Sequence, residues 1–463
     1  MRFRPRVVAL PDALDAGELL ARLRSRRSLA ALDSAGGTPR RFSVVAFDPL
    51  RGFETPRDLA GIRAAVAGLK VEPGDAVPGP FHGGFLGALA YDLGVAGERP
   101  VRAPRDPWSS PRVAGGTYVD FVVRDESAGR NWLVLGEDAG DGRPASRRAE
   151  LLALLAEPAP PPVVRPLGPL VRHTAPAVHR ARIERARERI AAGDFYQANL
   201  AHRFTRAVAG GPIDLYRSLR ARNPAPYGGY LAWEGEAGPG ALLSSSPELL
   251  LEFDGASART RPIKGTARRG ASPEADAEAA RALLASTKDR AELAMIVDLA
   301  RNDLGRVSAP GSVRTEAFPR LETYAAVHHL VADVVATPRA GTDAVDFLAA
   351  LFPGASITGA PKLAAMDAIA ELEGEGRGFF TGSLGFLDTR GRACWNILIR
   401  TLVWRPGEVS FHVGGGITWS SDAAAEDEET LAKGAALAAA LEPSEAAADA
   451  GKKAGFRASY AAS

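Results

Sequence analysis

Lys264 stands in Thr260-Arg-Pro-Ile-Lys-Gly-Thr266, between a proline that fixes the backbone and a glycine that permits conformations other residues resist. Most lysines are solvated and idle. One held in a desolvated pocket loses part of its proton affinity and becomes an amine nucleophile. Glu248, in Ser244-Ser-Ser-Pro-Glu-Leu-Leu-Leu251, adjoins an apolar run. Exposed, it is an ordinary surface charge; partly buried, its raised pKa makes it a usable general acid near neutral pH. Asp289 and Glu292 lie three apart in one helical pattern, and Glu426 and Glu429 repeat that spacing in another, with Lys433 one turn later. Singly, such acids are solvated groups favoured near helix N-termini. As four carboxylates on two helix faces, with no Cys or His cluster beside them, they suit a hard cation such as Mg²⁺.

Other segments offer anion-binding groups. Gly354-Ala-Ser-Ile-Thr-Gly-Ala-Pro-Lys362, which includes Ser356 and Thr358, precedes an apolar-periodic run, and Pro361 suits the first helical turn. A helix start of that kind holds a carboxylate or phosphate. Gly414, Gly415 and Gly416 follow an expected strand and offer bare amides. Arg400, in Ile397-Leu-Ile-Arg-Thr401, is expected at the end of a buried strand, where a bidentate carboxylate partner would justify it. Gln197 and Asn199 alternate with larger residues on a strand with one wet face, and the pattern alone reads them as exposed polars. Together these groups fit a small dianionic substrate.

The elements that position them alternate irregularly. Helices are expected from about Ala16 to Arg26 and from Pro176 to Ala192, the latter stopped by Gly193, and strands at Phe42–Phe47 and Asn131–Leu135. The absence of a repeated βαβ spacing favours an α/β chain of the α+β kind, with antiparallel sheets, over a doubly wound one. Residues 1–156 read as an N-terminal part and 173–442 as the catalytic region. Between them lies a linker over 157–172, too rich in proline for helix or central strand. Residues 443–463, Ala-rich and unpatterned, read as a flexible tail.

Composition narrows the function classes. With 57 basic against 55 acidic residues and a net charge of +2, the chain lacks the excess of Lys and Arg that nucleic acid or an anionic membrane demands. The single cysteine, Cys394, excludes an intramolecular disulfide and fits a reducing compartment. The N-terminal apolar stretch is too short for a signal sequence, and no window approaches the roughly 20 apolar residues that span a bilayer. A cytoplasmic enzyme is expected.

Ordered motifs over Ala181 to Leu441 resemble the chorismate-utilising enzymes: Met295-Ile-Val-Asp-Leu-Ala-Arg-Asn-Asp-Leu-Gly-Arg-Val307, Ser356-Ile-Thr-Gly-Ala-Pro-Lys362, Ile399-Arg-Thr401 and Gly414-Gly-Gly-Ile417. The resemblance implies one large fold with antiparallel sheets packed face to face and helices outside. It implies Glu292 and Glu429 as direct Mg²⁺ ligands, with Asp289 and Glu426 acting through water. The metal would hold the ring carboxylate of chorismate, near Lys433. Arg400 and the amides of Gly414 to Gly416 match the holders of the enolpyruvyl carboxylate, Glu248 the general acid on the 4-hydroxyl, and His329 the active-site histidine; His328 would be structural. Phe380 stands where relatives usually carry tyrosine, and Ser420 and Ala423 replace the usual Asp and Pro. Ser34, Pro226 and Tyr227, in Leu32-Asp-Ser34 and Asn223-Pro-Ala-Pro-Tyr227, resemble a tryptophan pocket.

Two positions separate the branches of this family. Members that add water to chorismate carry a lysine base where this chain has Gln197. Members that make anthranilate have a small residue where this chain has Lys264, the mark of the aminodeoxychorismate branch. In that branch the lysine attacks C2 as the 4-hydroxyl leaves, and ammonia then adds at C4 and expels the lysine. The ammonia comes from a separate glutaminase subunit. The alternatives are anthranilate synthesis, or a non-catalytic partner of an amidotransferase.

Overall fold

Alternating apolar residues at Phe42–Ala46 and Arg130–Glu137 form strands in the computed structural model, as expected for chains with one buried face. The structure describes residues 1–11, 14–36, 41–52, 58–95, 104–137, 146–235, 238–324 and 327–443. The expected tail therefore lies, from residue 444 on, outside the described residues. The first helix, Ala16–Arg22, is shorter than its periodicity suggested. Leu23 ends it, and a turn follows in which Arg26 pairs with Asp48.

The strands assemble into two large sheets, antiparallel at every described pairing except Arg2–Leu10 beside Lys70–Val71. Both sheets are built from both ends of the chain. In the larger, Tyr227–Gly235 pairs with Ala30–Asp33; in the smaller, Ser383–Asp388 pairs with Gly84–Leu89. Residues 1–156 and 173–442 therefore share two continuous sheets rather than forming separate bodies.

The sheets pack face to face. Leu231, Leu242 and Phe121 of one meet Leu86, Leu384 and Phe386 of the other in one buried cluster. Each such side chain contributes about 1.5–3 kcal/mol through burial. Helices cover the outer faces: Pro212–Arg222 and Ala423–Ala440 against the larger sheet, Thr287–Gly305 and Ala344–Leu351 against the smaller.

The proline-rich stretch is extended, as its composition requires, but it is attached. Val164 is fully buried, Arg165–Pro166 pairs with Val208 and Ala209, and Val171–Arg172 pairs with Phe204 and Thr205. Proline is tolerated there because the pairing is at a sheet edge. The linker is a strap on strand Gln197–Ala209.

Candidate active site

Strand Ile263–Arg268 carries Lys264 toward the start of helix Thr287–Gly305. The close approach depends on Gly265, whose φ is +75° and where a Cβ would come within 2.9 Å of Asp289 Cβ. Lys264 is half-buried, and its ammonium donates to the Ser356 carbonyl at 3.3 Å. Burial pulls its pKa below the ordinary lysine value, against the opposing pull of Glu292 and Glu248.

Glu248 precedes strand Leu249–Phe253 and is 3% exposed. Its backbone is held by Ser246 Oγ and by the Ile397 N–H, and its carboxylate accepts from the Ile263 N–H at 3.4 Å. Burial pushes its pKa up to about 6, although Ser356 and Lys264 pull the other way. The buried alternative drawn from the sequence is the one the fold realises.

Gln197 and Asn199 correct the reading of exposed strand polars. Gln197 is fully buried and Asn199 is 9% exposed. The reason is tertiary. Glu408–Ile417 pairs along one edge of their strand, and Gly359–Ala360 lies on the other. Gly359, at φ +154°, fits there only because it has no Cβ, which would stand 1.9 Å from the Gln197 carbonyl. Both polar atoms of the Gln197 side chain are buried without a hydrogen-bond partner among the described residues. A buried amide left so costs free energy, which a bound ligand can recover.

The glycine triplet lies inside strand Glu408–Ile417 rather than after it. Its amides are not equivalent. Asn199 N–H donates to the Thr358 carbonyl and Ala201 N–H to Glu373 Oε1, both at 2.8 Å, so these two residues face away from the neighbouring ladder. Their antiparallel partners, Gly416 and Gly414, must then also turn outward, while Gly415 bonds within the ladder. The next strand, Thr401–Arg405, pairs no further than Phe411, so the edge beside Gly414 and Gly416 is open. A side chain at Gly416 would meet Gln197 Nε2 at 3.1 Å and Lys264 Nζ at 3.4 Å. At Gly415 it would meet Glu426 Oε2 at 3.0 Å and Lys433 Nζ at 3.8 Å. The triplet is the floor on which amide, lysine and acid converge.

Arg400 precedes strand Thr401–Arg405 instead of ending one, with φ +51°. Among the described residues its half-buried guanidinium has no ion-pair partner, and burial lowers its pKa. An arginine so placed is available for a carboxylate. Pro361 likewise sits at the cap position, one residue before helix Lys362–Glu373. Ser356 lies in a short 3₁₀ turn, and the Thr358 hydroxyl is committed to the Gly354 carbonyl at 2.9 Å.

His329 is 2% exposed; its Nδ1 lies 2.9 Å from Thr266 Oγ1, and Nε2 has no partner among the described residues. Burial lowers its pKa to about 4, so the imidazole is neutral. His328 differs: both its nitrogens are occupied, by Thr323 Oγ1 and by Asp276, each at 2.9 Å.

The four acids come from the starts of two helices, Thr287–Gly305 and Ala423–Ala440. Glu426 is 7% exposed and accepts from Ser421 Oγ at 2.7 Å. Burial raises the pKa of Glu292, an effect to which neighbouring Asp289 and Glu426 add. Glu429, more open, is also pushed up by burial, but Lys433 at 2.8 Å outweighs this and holds its pKa low. The four do not close to ligating distance of a shared point; among the described residues only His179, His202 and Asp427 do.

Sequence reasoning missed the support beneath the site. Arg377, 3% exposed, pairs with Glu373 and donates to the carbonyls of Asn199 (2.6 Å) and Ile357 (3.1 Å). Its guanidinium lies 5.4 Å from the Phe380 ring, which stacks on His412 with centroids 5.0 Å apart. The only signal was an arginine embedded in Arg377-Gly-Phe-Phe380. On the far side, Asp33 binds Arg220 at 2.6 Å and Tyr216 at 2.8 Å, and its strand pairs with the one beginning at Tyr227. Ser34, Pro226 and Tyr227 are thus brought into one neighbourhood, with Ser34 Oγ buried and unpartnered among the described residues.

The chorismate binding enzyme family matches residues 43–439. The chain is 39% identical to anthranilate synthase component 1 of Streptomyces coelicolor, over 91% of this chain and 84% of that one. It is 34% identical to aminodeoxychorismate synthase component 1 of Bacillus subtilis, over 91% and 93%. Among solved structures, anthranilate synthase component I from Streptococcus pneumoniae superposes with a TM-score of 0.74 at 30% identity, covering 85% of this chain and 91% of that one. The menaquinone-specific isochorismate synthase of Escherichia coli has the same fold, with a TM-score of 0.74 at 21% identity and 95% of each chain covered. The chain belongs to the chorismate binding enzyme family, of the aminodeoxychorismate and anthranilate synthase component I type.

Proposed function

We propose that this protein aminates chorismate to 4-amino-4-deoxychorismate, with Lys264 as nucleophile. The observation that carries the reading is Lys264 itself. Its ammonium is half-buried beside Glu248, Gln197 and Gly416, and its proton affinity is reduced. In this mechanism the neutral amine attacks C2 of chorismate as the C4–O bond breaks, and the ring double bond shifts. Glu248, protonated up to about pH 6, gives its proton to the departing hydroxyl. Ammonia then bonds to C4, the double bond shifts back, and the C2–N bond to Lys264 breaks.

Arg400 and the outward amides of Gly414 and Gly416 would hold one substrate carboxylate, with Ser356, Thr358 and Phe380 shaping the wall around the ring. Gln197, an amide that is no base, leaves no group to activate water in its place. His329, neutral, would hydrogen-bond through Nε2. The donor set of Glu292, Glu429, Glu426 and Asp289, all oxygen, fits Mg²⁺. Bound there, Mg²⁺ would neutralise the second substrate carboxylate, with Lys433 beside it. Burial chiefly, with Asp289 and Glu426 adding to it, raises the pKa of Glu292, and a cation bound there would favour its charged form.

Relatives are named as component 1, which supports a second component, here a glutaminase subunit that supplies ammonia. With one cysteine and no described helix long and apolar enough to cross a membrane, we place the work in the cytoplasm. Anthranilate synthesis is the second reading, favoured by the 39% identity to the S. coelicolor enzyme. Incubation with chorismate, Mg²⁺ and ammonium, followed by product identification, separates them. Release of 4-aminobenzoate after addition of a lyase supports the proposal; anthranilate overturns it.

A further inference from the structure

Three side chains outside the chorismate site converge in the interior. His179 on helix Pro176–Ala191, His202 on strand Gln197–Ala209 and Asp427 on helix Ala423–Ala440 each bring a ligating atom within 4.8 Å of the others. Both imidazoles are 1% exposed, and Asp427 is 5% exposed. The Nδ1 atoms of both histidines are buried without a hydrogen-bond partner among the described residues.

The tautomer of His202 follows from its neighbour. The Thr430 hydroxyl donates its one proton to the Asp427 carbonyl at 2.7 Å, so it accepts from His202 Nε2 at 2.9 Å. Nε2 therefore carries the hydrogen and Nδ1 presents a bare lone pair into the cluster. A histidine whose second nitrogen is fixed by an outer hydrogen bond is how metal-ligating imidazoles are held. Burial, the main cause, lowers the pKa of His179 to about 4 and of His202 to about 3, so both are neutral at physiological pH. On Asp427, Oδ1 makes the close contact with Arg172. Oδ2 is only loosely held, at 3.5 Å from Arg172 and 3.7 Å from Arg180. Oδ2 is the oxygen available to a third partner.

We propose that His179, His202 and Asp427 bind a zinc-class divalent cation that pegs helix Ala423–Ala440 to the helix and strand beneath it. Two imidazoles and one carboxylate suit Zn²⁺, whereas Mg²⁺ takes oxygen donors and keeps water. Zinc–nitrogen bonds are about 2.0–2.1 Å, so the three ligand atoms, which lie within 4.8 Å of one another, would take up tetrahedral spacing around the ion. The helix would then carry two metals on different faces, with Glu426 and Glu429 toward the substrate and Asp427 toward the core. The two positive arginines at Asp427 oppose a cation, and Arg172 on Oδ1 then acts as the outer partner that orients the carboxylate.

The test uses the full chain, stripped of metal with a chelator and titrated with Co²⁺, with zinc content measured separately after expression in zinc-supplemented medium. The expected result is about one zinc per chain and a visible tetrahedral Co²⁺ absorption saturating near one equivalent. In His202→Ala and His179→Gln the Co²⁺ affinity should fall at least tenfold, while Glu292→Gln keeps it. A wild-type chain that holds no zinc and gives no tetrahedral Co²⁺ spectrum overturns the proposal. So does loss of the metal in Glu292→Gln, which would place it with the other carboxylates. The wild-type spectrum decides even where a histidine variant fails to fold.

Discussion

The ammonium of Lys264 donates 3.3 Å to the carbonyl of Ser356, and the Ser356 side chain faces Glu248. One turn of backbone therefore couples the proposed nucleophile to the proposed acid, although the sequence separates Lys264 from Ser356 by 92 residues. The pairing keeps a partly desolvated amine close to the carboxyl that must act in the same step.

Lys264→Ala should lower the rate of 4-amino-4-deoxychorismate formation by roughly 10³-fold or more, because a nucleophile is removed and not merely weakened. Coupled assay through a lyase to 4-aminobenzoate measures it. Undiminished formation of that product would rule out covalent participation.

Glu248→Gln should abolish most activity, by about 10²–10⁴-fold, and yet stabilise the fold. The folded carboxyl titrates near 6, above its ordinary value, so from about pH 4.5 to 6 the native state binds more protons than the unfolded one. Stability from this group is thus lost as pH rises through that window, by about 2 kcal/mol at neutral pH. Denaturant titration at pH 7 should show the variant more stable than the parent by up to about that amount. The alkaline limb of kcat/KM that inflects near pH 6 should disappear with it.

Glu292→Gln or Glu429→Gln should raise the Mg²⁺ concentration for half-maximal activity by roughly 10–100-fold. Removing the charge of Glu292 also takes away a group that sustains the Lys264 ammonium, so its pKa should fall further. Mg²⁺ titration of initial rates, after chelator treatment, checks the first point. An unchanged Mg²⁺ requirement in both variants would remove these acids from the metal site.

Arg377→Met should cost about 3–5 kcal/mol, because it leaves Glu373 buried with its main partner gone and deprives the Asn199 and Ile357 carbonyls of their donor. Chemical denaturation measures this. Arg377→Met combined with Glu373→Leu should recover part of the loss, since no unpaired buried charge then remains.

Much of the framework was legible in the residues. Pro176–Ala191 and the two acidic helices follow from apolar spacing and from the three-residue interval of their acids, because a helix of 3.6 residues per turn puts such positions on one face. The strand character around Gln197 and Asn199 was equally visible, although the strand runs on to Ala209. Its burial was not, since periodicity says which residues share a face and is silent on what covers it.

Chorismate chemistry and the singular position of Lys264 were determined by the sequence, through local motifs whose residue types need no distant partner to be recognised. Only the tertiary structure decided that Gln197 is fully buried, that Gly414 and Gly416 turn outward while Gly415 does not, and that Glu248 is enclosed. It alone joined Arg377 to Asn199 across 178 residues, and His202 to Thr430 across 228. The physical reason is the same in each case. Desolvation and hydrogen-bond completion depend on which surfaces meet, here the two sheets built from both ends of the chain and the helices that cover their outer faces.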